Sequence, residues 1–84
     1  MADLKGLIEA VARALADQPD AVSVRESERR GATVYELQVA SGDLGRVIGR
    51  QGRTAAALRT LLASAAEADD KRVSLDIRDQ TGRG

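Results

Sequence analysis

The sequence predicts an α+β domain: a three-stranded sheet with helices packed on one face. Two observations carry that prediction. Apolar residues recur at three- and four-residue spacing in two long segments, and the period changes to two in three others. With a short helical turn before a glycine-bounded connection, the order becomes α-β-β-α-α-β, the mixture expected of one α+β layer. The 84 residues make one small domain, read as residues 1–84 with 79–84 as a flexible polar tail.

Each element has its own signal. Asp3 is placed to cap a first helix, in which Leu4, Leu7, Ile8, Val11 and Leu15 form one stripe; Pro19 is expected to end it. Val22 and Val24 then alternate with Ser23 and Arg25. The polar stretch Glu26 to Gly31 reads as a hairpin turn or as protruding strand ends. Thr33 to Ala40 resumes the alternation with Tyr35, Leu37 and Val39 on one face, completing an antiparallel pair. Ser41-Gly42-Asp43 starts a helical turn over Leu44 to Ile48, with Asp43 as its N-cap. A second long helix runs from Arg53 or Thr54 to about Glu67, with Ala55, Leu58, Leu61, Leu62 and Ala65 inward. Ala68 to Lys71 is a turn. Val73, Leu75 and Ile77 mark a last strand.

Composition excludes several chemistries. There is no Cys and no His, which removes disulfides, thiol nucleophiles and the usual catalytic triads. Adjacent Asp69 and Asp70 point apart on a turn, so no catalytic carboxylate pair forms; the expectation is a non-enzymatic protein without cofactor or metal. Trp and Phe are absent, so no aromatic platform for stacked bases exists. Of the hydrophobic residues, 15 are Ala and only 19 are Val, Ile or Leu, a thin aliphatic core. A domain of this size buries roughly 60–65 % of its unfolded surface and gains from association. No apolar run approaches the ~20 residues that span a membrane, and the N-terminal pattern is not that of a signal peptide; a cytoplasmic location is expected.

Net charge is zero, yet the charge is sorted. Arg46, Arg50, Arg53 and Arg59 fall in a stretch from Arg46 to Ala66 that contains no acid. Within it lies Val47-Ile48-Gly49-Arg50-Gln51-Gly52-Arg53. Glycine at both ends of a four-residue connection lets a ligand approach the backbone. The start of the following helix favours an anion, and Arg50 and Arg53 fork onto phosphate oxygens. Basic residues at a helix start oppose the dipole by about 0.3–1 kcal/mol each, a local cost that points to function. Two other phosphate motifs fail: a P-loop needs Gly where Val47 stands five before Gly52, and a dinucleotide fingerprint needs Gly at the same position, two before Gly49.

Val47 to Arg53 resembles the (V/I)-I-G-x-x-G signature of KH RNA-binding domains. The element order is similar to the type II, bacterial arrangement, and the short chain is similar to the small bacterial single-KH proteins of the KhpA-like group, from about Leu4 to Ile77. The resemblance implies that Gly49, Arg50, Gln51 and Gly52 form the GxxG loop that clamps about four single-stranded nucleotides. Arg50 and Gln51 are then its variable positions, with Arg53 and Arg46 adding charge. Ile48 floors the groove, and Val39 or its neighbours on the second strand form the opposite wall. Bases rest on aliphatic surface in such grooves, which suits a chain without Phe or Trp. The resemblance also implies an RNA chaperone or post-transcriptional regulator, acting as a homodimer or with a KhpB-like KH partner.

Blander assignments stand beside these. Arg59 is expected to solvate the outer face of its helix, the cluster Arg25 to Arg30 to be a solvated hairpin, and Tyr35 to be half-buried with a wet hydroxyl. The alanines of the second long helix serve core spacing or close approach in a dimer. The alternative function is a protein-interaction adapter that keeps the fold and has little RNA affinity.

Overall fold

A computed structural model describes residues 3–68 and 71–80. Residues 81–84 of the tail expected over 79–84, and Asp69 and Asp70 of the expected turn, lie outside the described residues. Helix α1 (Leu4–Leu15) begins as its sequence requires: the Asp3 carboxylate accepts a hydrogen bond from the Gly6 N–H at 2.9 Å. Ile8 and Ala12 are buried, with Leu4 and Val11 packed beside them. Leu7 and Leu15, expected on the same stripe, are 39 % and 40 % exposed. Leu7 sits about 100° around the helix from Ile8, and Leu15 is the last helical residue. The helix ends there rather than at Pro19. Ala16 is extended, and the N–H groups of Asp17 and Gln18 turn away to a side-chain acceptor, Asp43. Pro19 instead opens a single 3-10 turn, Pro19–Ala21, at the position where its missing N–H costs nothing.

Strands β1 (Ser23–Arg29) and β2 (Ala32–Val39) form the expected antiparallel hairpin. Only Arg30 and Gly31 turn, with φ of 52° and 79°, the two positive angles of a type I′ connection. Glu26 to Arg29 therefore belong to the strand. Helix α2 (Leu44–Ile48) and helix α3 (Arg53–Ala68) then cross over to strand β3 (Arg72–Asp79). β3 pairs with β2 in parallel, from Ala32 opposite Arg72 to Val39 opposite Asp79, so the sheet order is β1-β2-β3. A helical crossover is the connection that a parallel pair demands.

The helices cover one face of the sheet, as predicted. Val24, Leu37 and Ile77 share one row of that face, with Tyr35 and Leu75 in another. The opposite face carries Arg25, Glu36 and Asp76 in a single row. Burying each large aliphatic side chain contributes about 1.5–3 kcal/mol, and Ile8, Leu37, Leu62, Val39 and Val47 are fully inside. Tyr35 is buried rather than half-buried. On α3 the inward residues are Ala55, Leu58, Leu62 and Ala66, whereas Leu61 is 54 % exposed. Asp79, expected in the frayed tail, is the last residue of β3 and is buried.

Candidate nucleic-acid interface

The connection between α2 and α3 is where local sequence dictates local geometry most directly. Gly49 ends α2 with φ 83° and ψ 168°, and its N–H closes on the Gly45 carbonyl at 2.9 Å. A Cβ at Gly49 would collide with the Thr54 side chain and stand 3.0 Å from the Thr54 backbone nitrogen. Only glycine fits there. Gln51 and Gly52 are also left-handed, with φ of 57° and 73°. For Gln51 that conformation costs about 1–2 kcal/mol. A non-glycine residue held in this state is the kind of strain that collects at binding sites.

Arg50 to Gly52 form one 3-10 turn, in which the Gly52 N–H donates to the Gly49 carbonyl at 3.0 Å and the Arg53 N–H to the Arg50 carbonyl. Two N–H groups expected to be free at this helix start are thus satisfied within the loop. The guanidinium groups beside the loop are then its exposed groups able to meet an anion. Arg50, Gln51 and Arg53 are exposed, and Gly49, Gly52 and Ile48 are half-exposed beneath them. Arg53 Nη2 reaches Gln51 Oε1 at 3.4 Å. Arg46 is also exposed, one turn of α2 before Gly49, and its Nε lies 3.6 Å from Asp43 Oδ1. Among the described residues Arg50 makes no ion pair. All seven expected site residues (Arg46, Ile48, Gly49, Arg50, Gln51, Gly52 and Arg53) therefore lie in one short stretch of surface.

Two expectations fail. Val39 does not form a groove wall: it is 0 % exposed, because β2 is the central strand and is paired on both sides beneath the helices. The sheet's edges are β1 and β3, and the one beside α3 is β3. Arg59 does not simply solvate the outer face of α3; its Nη2 donates to the Leu75 carbonyl on that edge at 3.4 Å. Between α3 and β3 runs a groove of about 300 Å³ lined by Arg59, Leu62, Ala63, Val73, Ser74 and Leu75. Aliphatic surface, the Arg59 guanidinium and Ser74 line it, beside an edge strand. The available signal was the helical crossover after β2, which places the last strand parallel and adjacent to it.

Asp43 also departs from its expected role. It precedes α2 but makes no side-chain cap. Its carboxylate instead accepts the backbone N–H groups of Asp17 at 3.1 Å and Gln18 at 2.9 Å.

Among the described residues no helix is long and apolar enough to cross a membrane. The KH domain of the family described as KhpA/KhpB matches residues 5–77. The chain is 40 % identical over 77 residues to the RNA-binding protein KhpA of Chlamydia trachomatis, covering 92 % of this chain and 99 % of that one. It is 49 % identical over 73 residues to the RNA-binding protein KhpA of Treponema pallidum, covering 87 % and 91 %. Among solved structures, Era in complex with MgGDPNP and nucleotides 1506-1542 of 16S ribosomal RNA superposes with a TM-score of 0.54 at 16 % identity, over 90 % of this chain and 29 % of that one. That likeness is one of fold. The loop, the element order and the parallel third strand thus meet in one assignment: the chain belongs to the KhpA/KhpB family of KH domains, a family of binding domains rather than of enzymes.

Proposed function

We propose that this chain binds single-stranded RNA without chemistry, through the loop from Gly49 to Gly52. The observation that carries the reading is the exposed loop itself: three positive-φ positions, Gly49, Gln51 and Gly52, set around Arg50 and next to Arg53, in a stretch without acids. Arg50, Gln51 and Arg53 contact phosphate and sugar, and Arg46 adds charge. Bases lie on Ile48 and on the α3–β3 groove. The KhpA relatives that carry the name RNA-binding protein support the partner class. One small domain grips few nucleotides, so useful affinity comes from a second domain through raised effective concentration. A homodimer, or pairing with a KhpB-like KH protein, supplies it, in a cytoplasmic RNA chaperone or post-transcriptional regulator.

The test is anisotropy of a labelled single-stranded RNA at two salt concentrations. It compares the wild-type chain with an Arg50→Asp/Gln51→Asp variant whose folding is checked by circular dichroism. Binding by the wild type, weakened by salt and lost in the folded variant, supports the reading. Equal binding by both sinks it.

A second reading has its own observation. Leu61 is more than half exposed on α3, between exposed Ala57 and Ser64. This small-sided apolar face fits a protein adapter with little RNA affinity. Analytical ultracentrifugation with and without RNA separates the two: an adapter self-associates and ignores RNA.

A further inference from the structure

Asp43 is buried like the core leucines, at 1 % exposure. A buried carboxylate is costly unless its oxygens are bonded. Here both are: Oδ1 accepts the Asp17 N–H and Oδ2 the Gln18 N–H, with Arg46 Nε 3.6 Å from Oδ1. These partners lie on two different parts of the fold. Asp17 and Gln18 form the exit from α1, 26 and 25 residues away in the chain. Arg46 belongs to α2, one turn before Gly49.

Helix α2 has five residues. A helix so short does not hold itself, and its axis is set by whatever ties it down. Its apolar stripe is one tie: Val47 lies in the core, and Leu44 and Ile48 pack against it. Asp43, immediately before its first residue, is the other. The loop from Gly49 to Gly52 hangs from the opposite end. The apolar stripe fixes which side of α2 is buried, and the Asp43 bonds fix where its first turn sits against the exit of α1.

We propose that Asp43 is a positioning residue for RNA binding. Through the exit of α1 it fixes the direction of α2 and hence the placement of Arg46 and the Gly49–Gly52 loop, without itself touching RNA. The inference rests on the loop reading given above. It also has a sign that simple electrostatics does not share. Removing an acid beside a basic loop makes the surface more positive, which by charge alone tightens RNA binding. Loss of positioning weakens it.

Two variants of the full chain test this from opposite ends. Asp43→Asn keeps the volume of the side chain and replaces one of its two acceptor oxygens with an NH2 group that cannot accept. Asp17→Pro deletes the N–H donor to Oδ1 without touching α2, and Ala16 already has the extended backbone (φ −75°, ψ 142°) that a residue before proline adopts. Each also removes one negative charge. Single-stranded RNA binding is read by anisotropy below the melting temperature of each variant, with Arg50→Asp/Gln51→Asp as the loop control. Amide NMR of Gly49 and Gly52 is recorded in the free proteins.

Each variant is expected to weaken binding, by roughly 2- to 30-fold, and to shift the two glycine amides before any RNA is added. The double variant is expected to be no weaker than the more damaged single one, because both break one linkage. Should one variant fail to fold, the other carries the same outcomes. Unchanged or tighter binding with unshifted amides overturns the proposal, as do two losses that simply add. If the loop control binds like the wild type, it is the loop reading that fails, and the amide shifts still decide whether Asp43 directs the loop.

Discussion

Arg59 Nη2 donates to the carbonyl of Leu75 at 3.4 Å, from the side of α3 to the unpaired edge of β3. The bond places a cation in a mostly aliphatic groove and occupies an acceptor of the edge strand. A base entering that groove meets both. Arg59→Gln is expected to lower single-stranded RNA affinity by roughly five- to tenfold, with circular dichroism unchanged. An unaltered affinity in the anisotropy assay would show that the groove stays empty when the loop is occupied.

Two positions of the loop, Gly49 and Gln51, answer differently to substitution. Gly49→Ala brings a Cβ against Thr54 at a φ of 83°, and it is expected to destabilise the fold by about 1–3 kcal/mol and to disturb the loop. Gln51→Gly relieves a left-handed non-glycine residue and is expected to raise stability by up to about 1 kcal/mol. If Gln51 contacts sugar or phosphate, the same variant loses RNA affinity while gaining stability. Thermal melts and anisotropy on the pair of variants read the two effects separately.

Tyr35 gives the fold an alkaline limit. Burial raises its pKa above the ordinary 10.0, and the charges of Glu26 and Asp3 push the same way. The folded chain then holds a phenolic proton that the unfolded chain releases, so the stabilisation is complete below pH 10 and is lost as pH rises through the folded pKa. Urea melts between pH 8 and 11 are expected to show a steeper alkaline decline for the wild type than for Tyr35→Phe. Parallel curves would refute the linkage.

Leu61 tests association. Leu61→Glu places a charge on an exposed face and is expected to cost the monomer less than about 0.5 kcal/mol. Sedimentation velocity is expected to show a lower average mass than the wild type at equal concentration. If self-pairing supplies the second RNA contact, apparent RNA affinity falls with it. An unchanged mass would remove this face from the dimer.

The loop was legible in the sequence because its information is local. Two glycines, the apolar pair Val47-Ile48 and the neighbouring arginines lie within a few positions, and the structure keeps them together. The helix cap at Asp3 and the hairpin were legible for the same reason. Val39 was misplaced as a groove wall because the order of strands in a sheet is a long-range property; an alternating strand looks the same at the centre and at the edge. Arg59 was misread with it, since its partner lies on β3. Asp43 looked like an N-cap because a carboxylate before a helix usually is one, and its real donors are on another element. Leu61 was taken as core because periodicity allots a stripe to a helix but does not say how wide the covering sheet is.

The parallel pairing of β2 with β3 has a last consequence. Everything from Ala40 to Lys71, the glycine loop included, lies in one closed excursion between two hydrogen-bonded strands. The entropy of closing such an excursion grows only logarithmically, by roughly 0.6 kcal/mol per doubling of length. Residues inserted between Arg50 and Gln51 therefore cost the sheet little. With Gly49 and Gly52 kept at its ends, the tip can be lengthened while the scaffold below it still folds, so natural variation or deliberate insertion can change what the tip recognises.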